Sequence, residues 1–369
     1  MTSSDTSHQG VTAGGIDTPA LLLDRSRLLG NIRRMAEFAA DRPVGLRPHT
    51  GAHHCVAVAR LQIEHGACGV TSTRLDEAQT MVDGGLDDIF LANEVVGAAK
   101  IRRLIDLADR CTLAVAVDDP DNVAELSAAA AATRFDLRCL VEVDVGMGRC
   151  GVAPGEPALA LARLVDDSPG LTFGGLHAFE GHLQEVAPYD QRRARARDDM
   201  KKVTDTRATI EDAGLPVPLV TGGGTGTHAI TGVLPGIDEL QPGSYVTMDA
   251  AYRRAGAPFE NALTVLSTVV SRPTRETAVI DAGYSAVAPE FGEPEVLRGG
   301  AAFVALSEEH GTLRLTGAGR DLAVGDTVEL VPGHGSTTVG LHDRFHVMED
   351  GRLQDVWPIA RPRGAGGPL

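Results

Sequence analysis

Residues 69–92 decide the fold, and they have the sequence GVTSTRLDEAQTMVDGGLDDIFLA. The stretch begins with a short apolar and β-branched run, Gly69–Ser72, and ends with a second such run, Asp88–Ala92. Between the two runs, Leu75–Asp83 repeats apolar residues at the three- and four-residue spacing of one helix face. A strand, a helix and a second strand in this order predict a βαβ unit with parallel strands.

The same alternation runs from about residue 17 to about residue 244 and supplies eight candidate strands. They are Val44–His49, Gly69–Ser72, Asp88–Ala92, Leu113–Val117, Leu137–Val143, Leu171–His177, Pro218–Thr221 and Asp238–Gln241. Eight strands are the number that closes a (β/α)8 barrel of the TIM type. The predicted helices between them include His53–Glu64, Leu75–Asp83, Pro120–Ala132 and Tyr189–Asp212. We expect the segment Ala20–Asp24, ahead of the first barrel strand, to join the sheet of a second domain.

From about Tyr245 the pattern changes to short strands separated by Gly, Pro and Asp turns. The runs are Leu263–Ser271, Thr277–Asp281, Thr312–Leu315, Thr327–Leu330, Arg344–Met348 and Leu353–Trp357, and no helix of normal length fits among them. The sequence therefore predicts an α/β protein in three parts. These are a flexible leader (1–16), a (β/α)8 barrel (17–244) and an all-β C-terminal domain (245–369) with a loose tail from Pro362.

Composition excludes several classes of partner. The formal net charge of −16 argues against nucleic acid, because neutralising phosphates requires a basic surface. No run of eighteen apolar residues spans a membrane, and the N-terminus lacks the pattern of a signal peptide. The five cysteines are scattered without a Cys-x-x-Cys pair, which is typical of a reducing compartment. We therefore expect a cytoplasmic protein with a small-molecule substrate.

A glycine-rich loop, Thr221–Thr227, follows the seventh predicted strand with the sequence TGGGTGT. Consecutive glycines let backbone N–H groups approach an anion, and the loops after strands seven and eight are frequent phosphate sites in such barrels. Gly222, Gly223, Gly224 and Thr225 are therefore candidate phosphate-binding residues. The alternative interpretation is a tight turn that needs glycine for conformational reasons.

Histidines collect at the ends of predicted strands. His49, His53 and His54 follow the first strand, and His182 follows the sixth within Phe179-Glu180-Gly181-His182. Imidazoles suit zinc, nickel or iron(II), and Glu180 could complete such a site. The alternative is that these side chains only line a pocket.

Several segments resemble the D-threonine aldolase and D-serine dehydratase family, whose members are pyridoxal-phosphate (PLP) enzymes of fold type III. They are Arg47–Cys55 (RPHTGAHHC), Glu142–Gly151 (EVDVGMGRCG), Glu180–His182 (EGH), Gln241–Asp249 (QPGSYVTMD) and Pro332–Ser336 (PGHGS). The resemblance extends in family order from Thr18 to Trp357. It implies an alanine-racemase-like barrel followed by a β-domain, a glycine loop that grips the cofactor phosphate, and a homodimer.

One residue departs from the family at the cofactor. In the segment Arg-Pro-His-Thr-Lys-Thr-His-Lys the first lysine forms the Schiff base with PLP, and here that position is Gly51, while the second lysine is His54. A Schiff base needs a primary amine, so PLP could bind only noncovalently. The three lysines of the chain, Lys100, Lys201 and Lys202, are predicted on polar helices away from the strand ends.

A second departure from the family lies at the pair of residues that holds its metal. The family holds a divalent metal with Pro-x-His-x-Cys or Pro-x-His-x-Asp, and here the pair is His334 and Ser336. A neutral hydroxyl is a poor ligand beside thiolate or carboxylate. A divalent metal is still expected, held by His334 with His49 and Ser336 in a rearranged site.

Two further residues have two interpretations each. Arg149 could bind a carboxylate of substrate or cofactor, or it could brace a loop with Asp144. Tyr245 could donate to the cofactor phosphate, or it could pack between domains.

Three hypotheses follow for the function. The favoured one is a carbon–carbon or carbon–oxygen lyase acting on a small 3-hydroxy amino acid or related hydroxy carboxylate, metal-assisted and without the PLP–lysine link. In it His53, His54, His182 and Glu180 are the catalytic candidates. The first alternative is an enzyme of racemase or isomerase type that binds PLP or a phosphate ester noncovalently. The second is a non-catalytic ligand-binding relative.

Overall fold

A computed structural model of the protein describes residues 10–360. The chain divides into two compact units. The β-unit comprises the residues up to Ile32, Ala52–Ala57 and those from Ser244 onward, and the barrel unit comprises Arg33–Gly51 and Val58–Gly243. Residues 1–9 of the predicted leader and 361–369 of the predicted tail lie outside the described residues.

Strand β1 (Ala20–Asp24) belongs to the β-unit, and the next eight strands form the barrel unit. They are β2 (Gly45–Leu46), β3 (Val70–Ser72), β4 (Asp88–Glu94), β5 (Thr112–Val117), β6 (Leu137–Glu142), β7 (Leu171–Ala178), β8 (Val220–Gly222) and β9 (Glu239–Leu240). All are parallel, in the order β2-β9-β8-β7-β6-β5-β4-β3. A parallel bridge between His49 and Thr71 joins the two ends of this order, and Cys68 N donates to Leu46 O over 2.9 Å. The predicted (β/α)8 barrel is confirmed.

Helices alternate with these strands. They are α1 (Arg25–Ala40), α2 (Val56–Glu64), α3 (Leu75–Asp83), α4 (Ala98–Ala108), α5 (Pro120–Ala130), α6 (Glu156–Asp167), α7 (Tyr189–Asp212) and the single turn α8 (His228–Thr231). Helix α3 buries Leu75, Ala78 and Met81, the apolar face that its spacing predicts. Helix α5 begins at Pro120, because the carboxylate of Asp119 accepts hydrogen bonds from the first-turn amides.

Helix α2 begins later than its sequence pattern predicts. The prediction placed its start at His53, whereas the structure places it at Val56. The His53 imidazole accepts a hydrogen bond from Cys55 N (3.0 Å), and His54 has a φ of 49°. A left-handed residue cannot continue a right-handed helix, so the helix starts only after it.

The β-unit contains the remaining strands in one antiparallel-rich sheet. They are β10 (Leu263–Thr274), β11 (Thr277–Ile280), β12 (Glu295–Val296), β13 (Ala301–Leu306), β14 (Gly311–Leu315), β15 (Thr327–Val331), β16 (Arg344–Glu349) and β17 (Arg352–Pro358). Strand β1 pairs antiparallel with β10 and parallel with β16, so its predicted place in this sheet is confirmed. The helices of this region, α9 (Ala250–Arg254) and α10 (Gly335–Val339), have five residues each.

The sequence pattern did not predict two strands of this sheet, β12 and β13. Strand β12 has only two residues, both half-buried, and β13 buries only Phe303 fully. A strand without a buried face shows little alternation of apolar and polar residues.

Among residues 10–360, no helix combines the length and the apolar composition needed to cross a membrane.

Candidate active site

The ends of the barrel strands carry polar side chains in register. Glu142, the last residue of β6, is paired with His177 of β7, and His177 is paired with Thr221 of β8. Thr221 is in turn paired with Glu239 of β9. Active sites of β/α barrels are built at the carboxyl ends of their strands, so this row of side chains is a candidate active site.

Five of these side chains form a connected set, which we call the strand-end network: Arg47, Glu239, Thr221, Gln241 and His177. Arg47 Nε donates to Glu239 Oε2 (2.9 Å), and Thr221 Oγ1 donates to Glu239 Oε1 (2.8 Å). Gln241 Nε2 donates to Thr221 Oγ1 (2.7 Å) and lies 3.2 Å from His177 Nδ1. All five residues are buried, so the network is a fixed scaffold that orients the His177 ring.

Glu142 faces the other side of the His177 ring. Its Oε2 lies 3.7 Å from His177 Nε2, and its Oε1 lies 3.8 Å from Arg149 Nη2. The side chain of Arg149 is 50% exposed, whereas that of Glu142 is only 6% exposed. Arg149 therefore offers a guanidinium to solvent beside a buried carboxylate.

Three more groups gather next to Glu142, on the loops that follow neighbouring strands. One ligand atom each of Glu94, Asp118 and Cys150 lies within 4.8 Å of the other two. Asp118 Oδ2 also accepts a hydrogen bond from Gly151 N (2.9 Å), which holds the Cys150 loop against the end of β5. We call Glu94, Asp118, Glu142 and Cys150 the acid–thiol cluster.

The pKa of the histidine in this site is lowered, whereas the pKa values of the carboxyl groups and of the thiol are raised. Burial lowers the pKa of His177 to about 4, and the nearby Arg149 adds to the effect. Burial and the charge of Glu142 raise the pKa of Glu94 to about 7, and burial also raises the pKa of Glu142 itself. Burial and Glu94 raise the pKa of the Cys150 thiol to about 11. At neutral pH the site therefore combines a neutral imidazole with a carboxyl group close to its own pKa, as acid–base chemistry requires.

Backbone amides of the glycine-rich loop donate hydrogen bonds to neighbouring side chains. Gly226 N donates to Gln184 Oε1 (2.9 Å), and Gly224 N donates to Thr227 Oγ1 (3.1 Å). A Cβ at Gly226 would stand 1.8 Å from the carbonyl oxygen of Gln184. Position 226 therefore needs glycine for close packing, whereas Gly223 has a φ of 73°, the conformational reason that the sequence left open. The phosphate site stays a prediction.

Glu180 lies beneath that loop rather than in an open site. It is fully buried, and its Oε1 accepts from Thr231 Oγ1 (2.6 Å). Its burial raises its pKa, while the hydroxyls of Thr227 and Thr231 oppose that shift. These contacts connect Glu180 to α8, and its catalytic role stays a prediction.

The predicted catalytic histidines have different surroundings. His182 Nε2 lies 3.0 Å from Asp199 Oδ2 of α7, in the barrel unit. His53 and His54 belong to the β-unit, where His53 is fully buried and the carbonyl of His54 accepts from Ala360 N (2.7 Å). His49, in the barrel unit, accepts a hydrogen bond from Gly51 N at its Nδ1 (3.0 Å). The catalytic roles of these histidines stay predictions.

Within the β-unit, His334 is accompanied by Thr337 and Asp249. His334 Nδ1 lies 3.0 Å from Thr337 Oγ1, and Asp249 Oδ2 accepts from Gly335 N (2.9 Å). Burial lowers the pKa of His334, and the Asp249 carboxylate opposes that shift. Tyr245 is also fully buried in this unit and packs on Phe259, with ring centroids 5.6 Å apart.

Among the described residues, only Glu94, Asp118 and Cys150 bring three His, Cys, Asp or Glu ligand atoms within 4.8 Å of one another. His334 and His49 are not in this group. A metal site built on His334, His49 and Ser336 therefore stays a prediction.

The residues present do not fit a lysine-linked PLP. Gly51 has no side chain, and a Cβ added there would meet His49 Cε1 at 2.7 Å. Two lysines lie closer to the strand ends than their sequence predicts, which is a correction. Lys202 Nζ donates to Val145 O and to Asp199, and Lys100 lines a cavity with Glu94. Lys202 is thus already bonded to a carboxylate and a carbonyl.

Sequence reasoning missed the acid–thiol cluster and Gln241. Glu94 and Asp118 each end or follow a strand, which was a usable signal. The cysteines are scattered without a Cys-x-x-Cys pair, so their spacing does not identify Cys150 as a ligand. Gln241 stands inside the resembling segment but carries no charge, and its role depends on contacts with distant residues.

The fold and this strand-end site place the protein in the alanine-racemase-like class of β/α barrels. Residues 23–251 match the family model of the alanine racemase N-terminal domain, and residues 262–348 match that of a putative serine dehydratase domain. The chain belongs to the family of D-threonine aldolases and D-serine dehydratases that these two domains define.

Three proteins show how similar this chain is to members of the family. D-threonine aldolase of Arthrobacter sp. is 36% identical over 94% of this chain and 92% of its own. The crystal structure of D-threonine aldolase from Filomicrobium marinum is 38% identical, with a TM-score of 0.93 over 96% of this chain and 98% of that one. A D-threo-3-hydroxyaspartate dehydratase variant in the metal-free form is 26% identical, with a TM-score of 0.88 over 95% of this chain and 99% of that one.

The predicted class, a lyase of the aldolase and dehydratase type, is confirmed by these relatives. Enzymes of the family depend on PLP, and the metal-free form implies that the dehydratase also binds a metal.

Proposed function

We propose that this chain is a lyase for a small 3-hydroxy amino acid or related hydroxy carboxylate that works without a lysine-linked PLP. The observation that carries the proposal is Gly51, which stands at the family's lysine position with its amide bonded to His49. The strand-end network and the acid–thiol cluster nevertheless bring together groups suited to proton transfer.

Both reactions of this class need one proton acceptor and one proton donor. In aldol cleavage a base takes the hydroxyl proton, the Cα–Cβ bond breaks, its electrons stay on Cα, and Cα then gains a proton. In dehydration a base takes the Cα proton, and the hydroxyl leaves as water after it has been protonated. Either path requires two groups with separated pKa values close to the substrate.

Glu142 is the proton acceptor in this proposal. Burial raises its pKa, so its ionised form is a stronger base than an exposed carboxylate. His177 stays neutral, because its pKa is about 4, and its ring is fixed by Gln241. A neutral imidazole can donate a hydrogen bond to a leaving oxygen without carrying a charge into the site.

Arg149 is the substrate anchor. Its half-exposed guanidinium stands next to Glu142 and offers a fork of N–H donors that suits a carboxylate. A divalent metal, when bound, would supply the Lewis acid that stabilises charge on the substrate.

The test is a turnover assay with D-threonine, D-serine and 3-hydroxy-D-aspartate, scored for aldehyde and keto-acid products. Each substrate is assayed in a chelated buffer, with added Mn²⁺ or Zn²⁺, and with added PLP. We expect turnover that needs metal and does not require PLP, and loss of that turnover in Glu142→Gln and in Arg149→Ala. Strict dependence on PLP, or no turnover of any of the three substrates under any condition, would refute the proposal.

A further inference from the structure

The acid–thiol cluster has more negative groups than the neighbouring positive charge can balance. Glu94, Asp118 and Cys150 hold their ligand atoms within 4.8 Å, and Glu142 lies against Glu94. Among the described residues, Arg149 is the only arginine or lysine that forms a salt bridge with the cluster, at 3.8 Å from Glu142. Four potential anions in one place require either protons or a cation.

One carboxylate of the cluster has a buried oxygen without a donor. Glu94 Oε1 is buried, and none of the described residues donates a hydrogen bond to it. The neighbouring Glu142 is 4% exposed, and His177 Nε2 and Arg149 Nη2 are 3.7 and 3.8 Å from its oxygens, beyond hydrogen-bond distance. Buried polar atoms are almost always satisfied, so this arrangement points to a missing positive group.

We propose that Cys150, Asp118 and Glu94 bind a divalent transition metal at the carboxyl ends of β4, β5 and β6. A thiolate with two carboxylates is a donor set that suits zinc or cobalt better than magnesium or calcium. Ligands of a tetrahedral zinc ion lie roughly 3.3–3.8 Å from one another. The observed span of up to 4.8 Å closes to that value by small side-chain rotations.

The surroundings of the three ligands support this assignment. Asp118 is held by the amide of Gly151, the residue after Cys150, so two of the ligands are linked through one loop. Glu142 stands next to Glu94, where it can accept a hydrogen bond from a metal-bound water. Glu94 also lines a cavity of about 170 Å³.

The experiment measures metal binding alone, so its outcome does not depend on the proposed reaction. Chelator-treated full-length protein is titrated with Co²⁺, and the ultraviolet absorbance of the thiolate–cobalt bond is followed together with bound cobalt per chain. We expect one Co²⁺ per chain with the thiolate band present, and release of about one proton from Cys150 on binding.

Variants assign the site to these residues. Cys150→Ser should abolish the thiolate band, and Glu94→Gln and Asp118→Asn should each weaken Co²⁺ binding by at least about tenfold. The amide introduced by Asp118→Asn keeps an oxygen that can accept from Gly151, so the loop is preserved. Cys111→Ser, in a half-buried thiol outside the cluster, and His334→Ala, at the position of the family's metal ligand, should both keep the band.

Three results would overturn the inference. They are the absence of saturable Co²⁺ binding, a thiolate band that survives in Cys150→Ser, and a band lost in His334→Ala but kept in the cluster variants. In the first case the carboxyl groups are balanced by protons alone. If Co²⁺ binds as expected while no substrate is turned over, the site stands and only the proposed reaction fails.

Discussion

Gly51 is the residue that separates this chain from its relatives. Its amide donates to the imidazole of His49, and the ring occupies the space next to the Cα. The contact involves the far end of a rotatable side chain, so a larger residue at position 51 is accommodated once the ring turns. The cost is about the one hydrogen bond that is lost, roughly 1 kcal/mol.

The first prediction concerns a variant with a primary amine at position 51. Gly51→Lys, incubated with PLP and reduced with borohydride, should gain one pyridoxyl group at position 51, whereas the natural chain should gain none at any single position. Peptide mass spectrometry locates the adduct. Gly51→Met is the matched control, since it adds a side chain of similar length without an amine. A stoichiometric adduct at Lys100 or Lys202 of the natural chain would show that another lysine has taken over the role.

The second prediction concerns Glu94 and pH. Its pKa in the folded protein is about 7, above the ordinary value of 4.5, so folding favours its protonated form. Its contribution to stability is therefore fully present below pH 4.5 and is lost as the pH rises through 7. Glu94→Gln resembles the protonated form, and it should raise the melting temperature more at about pH 8 than at about pH 5.

Thermal unfolding followed by circular dichroism at the two pH values measures this difference in the metal-free protein. Glu125→Gln, on the exposed face of α5, is the control and should show little change at either pH. An equal effect of Glu94→Gln at both pH values would mean that the carboxyl group titrates normally.

At the scale of elements, the loop between β8 and α8 depends on Glu180 and on glycine. The third prediction is that Glu180→Ala lowers the free energy of unfolding by about 1–3 kcal/mol, because the Thr231 hydroxyl loses its buried acceptor. Urea unfolding provides the measurement, and Glu156→Ala, exposed in the first turn of α6, is the control. If Glu180→Ala instead abolishes turnover with unchanged stability, Glu180 acts in catalysis as its sequence first indicated.

The fourth prediction compares two glycines. Gly226→Ala should destabilise the protein by several kcal/mol, because its Cβ would meet the Gln184 carbonyl oxygen at 1.8 Å and no side chain can move away to relieve the contact. Gly30→Ala should stabilise it by about 0.5–1 kcal/mol, since that glycine lies inside α1 with no heavy atom within 4 Å of its Cβ position. Urea unfolding of both variants measures the contrast. A Gly226→Ala protein of unchanged stability would show that the loop is not closely packed.

At the scale of the whole barrel, a buried ion pair joins β2 to β9. Arg47 follows β2 and bonds Glu239 in β9, and a second contact reaches Asp88 at the start of β4 (2.6 Å). The side chains of Arg47 and Glu239 are 10% and 5% exposed, so solvent screens the pair weakly. Removing one member leaves a buried charge without its partner.

The fifth prediction is that Arg47→Ala lowers the free energy of unfolding by about 3–5 kcal/mol. The double variant Arg47→Met with Glu239→Gln should lose less, because it removes both charges at once and keeps the volume of the side chains. Arg134→Ala breaks an exposed pair with Asp109 and should cost at most about 1 kcal/mol. Similar losses for Arg47→Ala and Arg134→Ala, measured by urea unfolding, would show that the barrel does not rely on this pair.

Much of the molecule could be predicted because its signals are local. Each barrel strand was found within a few residues, and the bounds of α3 and α7 match their predictions. The start of α2 could not be found, because the left-handed conformation of His54 leaves no mark in hydrophobic spacing. The predicted homodimer and cytoplasmic location depend on properties beyond a single chain, and they stay predictions.

The sequence by itself determined the strand and helix order, the family and the absence of an amine at residue 51. These follow from periodicity and from residue identity, which are properties of short stretches of chain. Only the tertiary structure decided that Glu94, Asp118 and Cys150 meet, that Glu180 supports a loop, and that Arg47 joins Glu239. Such contacts join residues far apart in the chain, and they are fixed by strand register and barrel closure, which local spacing does not specify.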